Sequence, residues 1–276
     1  METGLAGRTV VVTGGNANIG KGISLAFAGE HANVVVVGRD EVHGHRTVEL
    51  ARDRGAAAAM WHAADVTDRA QVLTMVDAVQ DRFGTVDVLV NNVGGNVGVD
   101  RFVDSDPQTW EQDIALNMTS TLNCTHAILP GMIGQKRGRI INIGSTSGLI
   151  GDPLMAVYSA MKGAVHAFTR VLAVEVGRDG VTVNAIAPYG TLPDDWVEDV
   201  SAGSRFHPDG VISRAVATRG PEMATIGRQT VLERQTAYPR EIGAAAVYLA
   251  SDDAAFVTGH TLTIDGGTSL VHPPGS

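Results

Sequence analysis

The chain has 276 residues, of which 44% are hydrophobic and 18% are charged, and its formal net charge is −9. This length is sufficient for one large domain with a buried core, and the 33 glycines follow no period that would indicate collagen or low complexity. The negative charge argues against nucleic-acid binding, which requires a basic face.

Cysteine usage and hydropathy indicate where the protein works. The single cysteine, Cys124, excludes a disulfide framework and is typical of a reducing compartment. The sequence shows no apolar leader and no apolar run long enough to span a membrane. We therefore expect a cytoplasmic protein that does not bind membranes.

Short apolar runs alternate with longer amphipathic segments along most of the chain. Uniformly apolar runs predict strands buried on both faces: Thr9–Val12, Val34–Val37, the weaker Ala56–Trp61, Val86–Val90, Ile140–Ile143, Val181–Ile186 and Leu262–Ile264. The segments between them predict helices: Ile19–Gly29, Glu41–Arg54, Asp68–Phe83, Gln108–Ile133, Val157–Val176 and Arg240–Ala250. This order predicts an α/β, doubly wound Rossmann fold over a single domain of residues 1–276, with helices on both faces of a parallel sheet of about seven strands.

Residues 190–234, here called the lid segment, break this alternation. They show little periodicity and contain Pro193, Pro208 and Pro221. An irregular segment of this length is usually functional or carries short helices of its own. We expect the lid segment to cover the substrate site, inserted before the last helix and strand.

The stretch Thr13–Gly22, TGGNANIGKG, joins the first strand to the first helix and allows two interpretations. As a P-loop for ATP it fails at Gly22, where a serine or threonine would hold Mg²⁺. As a dinucleotide-binding turn it places a helix N-terminus against a pyrophosphate, with Asn18 where a glycine is usual. Asparagine tolerates the left-handed region best among non-glycine residues, so we expect that backbone at Asn18, its amide near the pyrophosphate, and Lys21 in solvent. The stretch alone does not decide between the two.

The end of the second strand bears on the choice of nucleotide. A carboxylate at this point usually binds a free ribose 2′-hydroxyl, whereas a guanidinium suits a 2′-phosphate. Gly38 leaves space and Arg39 supplies the guanidinium, which favours NADP(H). Because Asp40 follows immediately, NAD(H) stays open.

Three polar residues are typical of proton transfer at the ligand-binding edge of such a sheet. Tyr158 and Lys162 are four residues apart in a predicted helix and therefore share one face, while Ser145 follows the strand Ile140–Ile143. A free phenol has a pKa of about 10 and is a poor base at neutral pH. A cation about 4 Å away, at an effective dielectric constant of about 20, favours the ionised form by ~4 kcal/mol. Such a pair is suited to general acid–base catalysis.

With these residues in place, the sequence resembles the short-chain dehydrogenases/reductases. The matching motifs are Thr13–Gly20, Asp65–Val66, Asn91–Gly94, Asn117, Ser145, Tyr158 with Lys162, Asn184–Pro188 and Asp265–Gly267. The resemblance implies an oxidoreductase that interconverts a ketone and a secondary alcohol by hydride transfer with NADP(H) or NAD(H). It implies a catalytic tetrad of Asn117, Ser145, Tyr158 and Lys162. It also implies a homotetramer, with Gln108–Ile133 and Val157–Val176 in one interface and the region of Leu262–Ile264 in another.

The resemblance also implies the residues that contact the cofactor. They are Gly14, Asn16, Asn18, Ile19, Gly20, Arg39, Asp65, Val66, Asn91, Gly94, Tyr158, Lys162, Pro188 and Thr191. After Pro188 the chain departs from the family, because Tyr189 replaces a glycine and Pro193 replaces a threonine. Thr191 is therefore the candidate for the missing hydroxyl.

For the substrate, the candidate contacts are Gly95, Ser147, Trp196 and Phe206. The two aromatic residues would present an apolar surface to a small or medium ketone, or they would pack on the body of the domain. Acyl-carrier-protein reductases of the family place basic residues beside the active site. The corresponding stretches here give Lys136 and Asp179, and the lid segment adds Asp194, Asp195, Glu198 and Asp199. Such an acidic mouth argues against an acidic protein partner, and no histidine spacing indicates a metal site.

Three kinds of function remain open at this point. An NADP(H)-linked oxidoreductase acting on a ketone or secondary alcohol is favoured. An NAD-linked sugar or polyol dehydrogenase, or a 3-oxoacyl thioester reductase, would use the same tetrad. A non-catalytic protein that senses the cofactor is the third kind, and the intact tetrad argues against it.

Overall fold

A computed structural model describes residues 3–196, 199–201 and 204–271, with the side chains of residues 219 and 221–226 excepted. The strands of this part of the chain form one sheet of seven, in the order β3-β2-β1-β4-β5-β6-β7, and every neighbouring pair is parallel. The strands are β1 Thr9–Thr13, β2 Asn33–Gly38, β3 Ala58–Ala63, β4 Val88–Asn91, β5 Gly138–Ile143, β6 Val181–Pro188 and β7 Thr261–Ile264. The predicted doubly wound parallel sheet is confirmed.

Helices connect the strands on both sides of the sheet. They are α1 Asn18–Gly29, α2 Glu41–Asp53, α3 Arg69–Phe83, α4 Pro107–Ile114, α5 Ser120–Gly134, α6 Ser147–Ile150, α7 Ala156–Val176, α8 Val211–Ile226 and α9 Pro239–Ala250. One core cluster joins the sheet to α1, α2 and α9, and a second joins its other face to α3, α5 and α7. Among the described helices, none is both long and apolar enough to cross a bilayer.

Valine-rich strands form the core because successive side chains point to opposite faces of a sheet. Val10 and Val12 of β1 pack in the first cluster, while Val11 between them packs in the second. The valine side chains of β1 and β2 are fully buried on both faces of the sheet. Apolar and polar residues therefore do not alternate along these two strands.

Two segments differ from the expected pattern. The single predicted helix Gln108–Ile133 is three pieces, because the π-helical turn Ala115–Thr119 separates α4 from α5. The lid segment contains α8, a helix of 16 residues that the weak periodicity of this region did not indicate.

The order of the strands fixes where a ligand can bind. The chain runs outward from β1 to β2 and β3, then returns to the other side of β1 at β4. The connections on the two sides of this switch point leave in opposite directions, which opens a crevice at the carboxyl edge of the sheet.

Candidate active site

A cleft of about 1280 Å³ occupies this crevice. Its walls are the β1–α1 turn, the carboxyl ends of β2, β4, β5 and β6, the first turns of α7 and parts of the lid segment. The predicted site residues that line it are Gly14, Asn16, Asn18, Ile19, Gly20, Arg39, Asp65, Val66, Gly94, Gly95, Ser145, Ser147, Tyr158, Lys162, Pro188, Thr191 and Phe206. The other three predicted residues, Asn91, Asn117 and Trp196, do not line it.

The β1–α1 turn is held tightly at the base of the cleft. Gly14 has a φ of 61°, which favours glycine, and a Cβ on Gly20 would lie 1.9 Å from the Gly14 carbonyl oxygen. The Asn92 side chain donates to the Thr13 and Gly14 carbonyls at 2.9 and 3.2 Å. Asn18 has a φ of 41°, so the expected left-handed backbone is confirmed.

Lys21 is not the solvated residue that the sequence indicated. Its Nζ lies 2.5 Å from Oδ1 of Asp199 in the lid segment, and the two side chains are only 13% and 7% exposed. The local pattern could not reveal this pairing because the partner is 178 residues away. Gly22 also has a structural role, since a Cβ there would lie 2.5 Å from the Pro239 carbonyl carbon of α9.

Arg39 and Asp65 form the outer end of the cleft. Arg39 Nη1 lies 3.4 Å from Asp65 Oδ2, and the arginine side chain is 62% exposed. Burial acts to raise the pKa of Asp65, but hydrogen bonds from Thr67 and the charge of Arg39 outweigh it and lower the pKa below its usual value. The neighbouring Asp40 is the N-cap of α2, and its carboxylate accepts a hydrogen bond from the His43 N–H at 3.1 Å.

Asn91, an expected cofactor contact, does not line the cleft, whereas the three residues that follow it, Asn92, Val93 and Gly94, do. Asn91 is buried, and its Nδ2 donates to Thr125 Oγ1 at 2.9 Å and to Asn142 Oδ1 at 2.8 Å. The alternation of side chains along β4 turns Asn91 toward α5 and β5.

Asn117 lies in the π-helical turn, directly behind the cleft wall. Its Nδ2 donates to the carbonyls of Asp113 and Gly95, both at 2.8 Å, and its Oδ1 accepts the Gly95 N–H at 3.0 Å. A Cβ on Gly94 would meet both Asn117 Oδ1, at 2.8 Å, and Lys162 Nζ, at 2.6 Å. Asn117 and Lys162 therefore adjoin the same point of the wall, and π-helical turns often mark such functional sites.

Tyr158 and Lys162 point into the cleft from α7. The Lys162 ammonium lies 5.8 Å from the centre of the Tyr158 ring and donates to the Ile143 carbonyl at 2.8 Å. Burial, and after it the positive charge of Arg205, together lower the pKa of Lys162 to about 7. The lysine can therefore change its charge near neutral pH.

Ser145 is fixed from two directions just beyond β5. Its Oγ accepts the Ser147 N–H at 3.1 Å and donates to Ser147 Oγ at 3.0 Å. Behind it, His166 Nε2 lies 3.0 Å from the Ser145 carbonyl oxygen. Burial lowers the pKa of His166, so the neutral ring donates through Nε2. The sequence analysis did not identify His166.

A chain of polar contacts links Ser147 to the lid segment. Ser147 Oγ donates to Asp152 Oδ2, and Asp152 Oδ1 lies 2.6 Å from Arg228 Nη2. The Tyr189 hydroxyl accepts the Arg228 N–H at 2.6 Å and donates to the Arg228 carbonyl at 3.2 Å. Sequence reasoning missed Asp152 and Arg228, and the signal available was Tyr189 in the place of a glycine.

The two lid aromatics do not share the same position. Phe206 lines the cleft, whereas Trp196 is 57% exposed and contacts the Phe206 ring edge-to-face, with ring centres 5.9 Å apart. Trp196 therefore packs behind Phe206, and the expectation that it contacts the substrate is corrected.

The expected acidic mouth is also corrected. Lys136 and Asp179 form an ion pair of 2.7 Å, and they immediately precede β5 and β6, at the sheet edge opposite the cleft. Of the acidic lid residues, Asp194, Asp195 and Asp199 do not line the cleft, and Glu198 is outside the described residues. Asp199 is paired with Lys21, and Asp194 lies 3.9 Å from Arg240.

Comparison with known proteins identifies the family. The short chain dehydrogenase model matches residues 8–202. The chain belongs to the short chain dehydrogenase family. This dehydrogenase is 34% identical over 271 residues to 2-(S)-hydroxypropyl-CoM dehydrogenase 3 of Xanthobacter autotrophicus, covering 98% of this chain and all 100% of the relative. It is 35% identical over 267 residues to D-beta-hydroxybutyrate dehydrogenase of Cupriavidus necator, covering 95% and 98%.

A solved structure shows the same fold. The short-chain type dehydrogenase/reductase from Mycobacterium ulcerans superimposes with a TM-score of 0.84 at 25% identity, covering 98% of this chain and 92% of that one. The family and its named relatives show that the chain is an oxidoreductase acting on CH–OH or C=O groups, and the family uses a nicotinamide cofactor, NAD or NADP.

The cleft of this dehydrogenase fits such a cofactor. Asn18 Oδ1 and Thr191 Oγ1 are buried beside the cleft and have no hydrogen-bond partner among the described residues. Gly14 and Gly20 keep the turn free of side chains where the N-terminus of α1 presents its N–H groups. The bare helix N-terminus suits a pyrophosphate, and the unsatisfied Thr191 hydroxyl can donate to or accept from a carboxamide.

Metal-ligating side chains do not cluster in this part of the chain. Among the described residues, no three His, Cys, Asp or Glu side chains are close enough together to hold a metal ion.

Proposed function

We propose that this dehydrogenase is an NADP(H)-linked oxidoreductase that interconverts a ketone and a secondary alcohol. The observation that carries the proposal is the presence of Ser145, Tyr158 and Lys162 in the same cleft as the glycine turn Thr13–Gly20. A cofactor-sensing protein would need the turn but not these three groups.

The proposed mechanism begins with proton transfer from Tyr158. In the reduction direction a nicotinamide held in the cleft would supply the hydride. As the carbonyl carbon gains that hydride, the Tyr158 hydroxyl gives its proton to the carbonyl oxygen, which yields the secondary alcohol. Ser145 Oγ, held by the Ser147 N–H at 3.1 Å, turns its single proton from Ser147 Oγ to the same oxygen and donates a hydrogen bond to it. In the oxidation direction Tyr158 accepts the proton instead.

Lys162 and Asn117 then restore the Tyr158 proton. Because burial and Arg205 bring the pKa of Lys162 to about 7, this residue can pass a proton to Tyr158 near neutral pH. We assign Lys162 a second role in holding the nicotinamide ribose. Asn117, on the other side of Gly94, would support a water path that connects Lys162 to solvent.

The outer end of the cleft supports NADP(H) over NAD(H). Arg39 supplies an exposed guanidinium at the end of β2, while Asp40, the carboxylate that would bind a free ribose hydroxyl, caps α2. A bidentate guanidinium matches a 2′-phosphate. Asp65, 3.4 Å from Arg39, would have to yield part of that contact to the phosphate.

The relatives support a small hydroxylated or oxo substrate. One is a hydroxybutyrate dehydrogenase by name and another a hydroxypropyl-CoM dehydrogenase. In this chain, Gly95, Ser147 and Phe206 line the cleft as candidate substrate contacts. A sugar or polyol and a 3-oxoacyl thioester are the alternative substrates that the experiment below includes.

We extend the proposal to the assembly and location of the protein. Val171 and Val174 on α7 are 58% and 85% exposed, which is unusual for valines on an outer helix face and supports the α7 interface of a homotetramer. β7 is the last strand of the sheet order and leaves an edge for the second interface. A cytoplasmic location is proposed from the single, buried Cys124.

A substrate screen tests the proposed function. Absorbance of the reduced nicotinamide is followed over ketones, alcohols, sugars, steroids and oxoacyl thioesters, with NADPH, NADH and their oxidised forms. We expect turnover of a ketone or secondary alcohol, and we expect it to be faster with NADP(H) than with NAD(H). Light scattering should give the mass of a tetramer. Turnover confined to sugars with NAD, or to acyl thioesters, selects an alternative instead.

A further inference from the structure

Arg205 is a cationic residue of the cleft wall, and contacts of its backbone fix its position. Its carbonyl oxygen accepts the Ile212 N–H at 3.1 Å, and a Cβ on Gly210 would lie 2.4 Å from the same oxygen. Its guanidinium carbon lies 4.9 Å from the centre of the Phe206 ring. Arg205 and Phe206 both line the cleft together with Tyr158. The position of Arg205 is therefore set by the start of α8.

Arg205 has no carboxylate partner within 4.0 Å in the described part of the chain. The acidic groups of the cleft are engaged elsewhere. Asp152 pairs with Arg228 at 2.6 Å, and Asp65 pairs with Arg39 at 3.4 Å. Asp40 lies 3.0 Å from His43 Nδ1, and Asp209, whose side chain is 94% exposed, lies 3.7 Å from His207 Nδ1. Buried or half-buried charges are ordinarily paired, so Arg205 lacks the counter-ion that its environment calls for.

The field of this cation reaches the proton-transfer residues. The charge of Arg205 is, after burial, the second cause that lowers the pKa of Lys162. Two cations facing one cleft repel each other, and an anion placed between the lid segment and α7 would relieve that repulsion.

We propose that Arg205 binds a compact anionic group of the substrate, a carboxylate or sulfonate, and thereby selects hydroxy and oxo acids over neutral ketones. This inference rests on the proposed function, since it names the substrate class of the same cleft. The planar guanidinium offers parallel N–H donors to such a group, and Phe206 beside it supports the apolar part of the molecule. The anion at Arg205 would leave the oxo group free to reach Ser145 and Tyr158.

The test compares acids with their own neutral esters. The probes are 2-, 3- and 4-oxo acids, each paired with its methyl ester, in assays with wild type, Arg205→Gln, Arg205→Lys and Arg240→Gln. Arg240 is a matched control, because it is 68% exposed outside the cleft and its loss changes the net charge equally. A hydrogen bond to a charged group is worth about 1.5–3 kcal/mol, so Arg205→Gln should lower kcat/KM for the acid by roughly 10- to 100-fold. Turnover of the ester changes only through the raised pKa of Lys162, which affects acid and ester alike, so the ratio of kcat/KM for acid to ester should fall by roughly 10-fold or more.

Binding is measured separately from turnover. Calorimetry with cofactor present compares butyrate with butyramide, which differ in charge but not in size. The inference predicts butyrate binding to wild type and to Arg240→Gln, a large loss in Arg205→Gln, a partial loss in Arg205→Lys, and no change for butyramide.

Three results would overturn the inference. Wild type could prefer the esters, acid and ester could fall together in Arg205→Gln, or that variant could lose cofactor affinity instead, which would assign Arg205 to the cofactor phosphates. In each of these cases turnover of the neutral ketones by wild type would leave the proposed function standing. If no ketone or alcohol is turned over by wild type, the proposed function fails, and the butyrate and butyramide titrations still decide the role of Arg205.

Discussion

Lys21 at the start of α1 and Asp199 in the lid segment form an ion pair of 2.5 Å that is largely shielded from water. It joins the helix whose N-terminus faces the cofactor cleft to the segment that borders the substrate end. The pair thus connects the two halves of the active site through one contact between charged side chains.

Removing one partner of this pair should destabilise the protein. Lys21→Met leaves Asp199 buried without a counter-charge, and breaking a buried pair in this way costs about 3–5 kcal/mol. Urea unfolding should show this loss, together with a raised KM for the cofactor. The exposed pair of Lys136 and Asp179 is the matched control, and Lys136→Met should cost about 0–1 kcal/mol. Equal losses of unfolding free energy in Lys21→Met and Lys136→Met would contradict the conclusion that the Lys21–Asp199 pair is shielded from water.

Arg39 tests the cofactor preference. Arg39→Ala should weaken NADPH binding about 10- to 100-fold, because a charge-assisted contact to the 2′-phosphate is lost, and should leave NADH binding within about twofold. Arg46→Ala removes a similar exposed arginine, 3.4 Å from Glu49 on α2 and outside the cleft, and should change neither. Fluorescence titration measures both constants. An unchanged NADPH preference in Arg39→Ala would show that Arg39 does not bind the 2′-phosphate, and tighter binding of NADH by wild type would select NAD(H).

Lys162 should titrate far below an ordinary lysine. The chain has three lysines, Lys21, Lys136 and Lys162, so protein labelled with ¹³C at lysine Cε should give three resolvable NMR signals. Burial, aided by Arg205, lowers the pKa of Lys162 to about 7. Arg205→Gln removes one of these causes and should raise the pKa of Lys162. A Lys162 signal that titrates at the ordinary lysine value of 10.5 would show that the buried site does not perturb it.

The lowered pKa of Lys162 also determines the direction in which stability changes with pH. The pKa of Lys162 falls from 10.5 to about 7 on folding, so the unfolded chain binds more protons between these values. The free energy of unfolding of wild type, relative to Lys162→Met, should therefore rise as pH increases from about 7 to 10.5. Below about pH 7 the destabilisation caused by burying the charged lysine should have its full value. Urea unfolding of both proteins at several pH values measures it, and a difference that falls as pH rises contradicts the assignment.

Gly94 tests the geometry between Asn117 and Lys162. In Gly94→Ala the new Cβ would lie 2.6 Å from Lys162 Nζ and 2.8 Å from Asn117 Oδ1, so one of them must move. We expect kcat to fall at least about tenfold, because small displacements of catalytic groups are costly. Gly98→Ala is the control, since its Cβ would have an ordinary contact of 3.5 Å with Thr109. An unchanged kcat in Gly94→Ala would contradict the close approach of Asn117 and Lys162 to Gly94.

The sequence predicted the sheet and the core of the candidate site because their signals are local. Uniformly apolar valine runs indicate strands buried on both faces, and the i to i+4 spacing places Tyr158 and Lys162 on one side of a helix. The left-handed backbone at Asn18 was predicted from the conformational tolerance of asparagine alone.

The remaining features depend on contacts between distant parts of the chain. Asp199 approaches Lys21 and Arg228 approaches Asp152 only once the lid segment has folded over the sheet edge. The π-helical turn at Asn117 leaves the helical pattern intact in the sequence, so a single helix was expected there. No local signal marks the pairing of Lys21 with Asp199, and Tyr189 in the place of a glycine is only an indirect sign of the contact between Asp152 and Arg228.

Proton transfer by Tyr158 is the central claim, and Tyr158→Phe tests it most directly. The substitution removes one oxygen and keeps the ring, so cofactor affinity, measured by fluorescence titration, should persist. On the best substrate of the screen we predict that kcat falls by about 10²- to 10⁴-fold, the usual contribution of a general acid or base. Turnover at the wild-type rate with intact cofactor binding would contradict the mechanism.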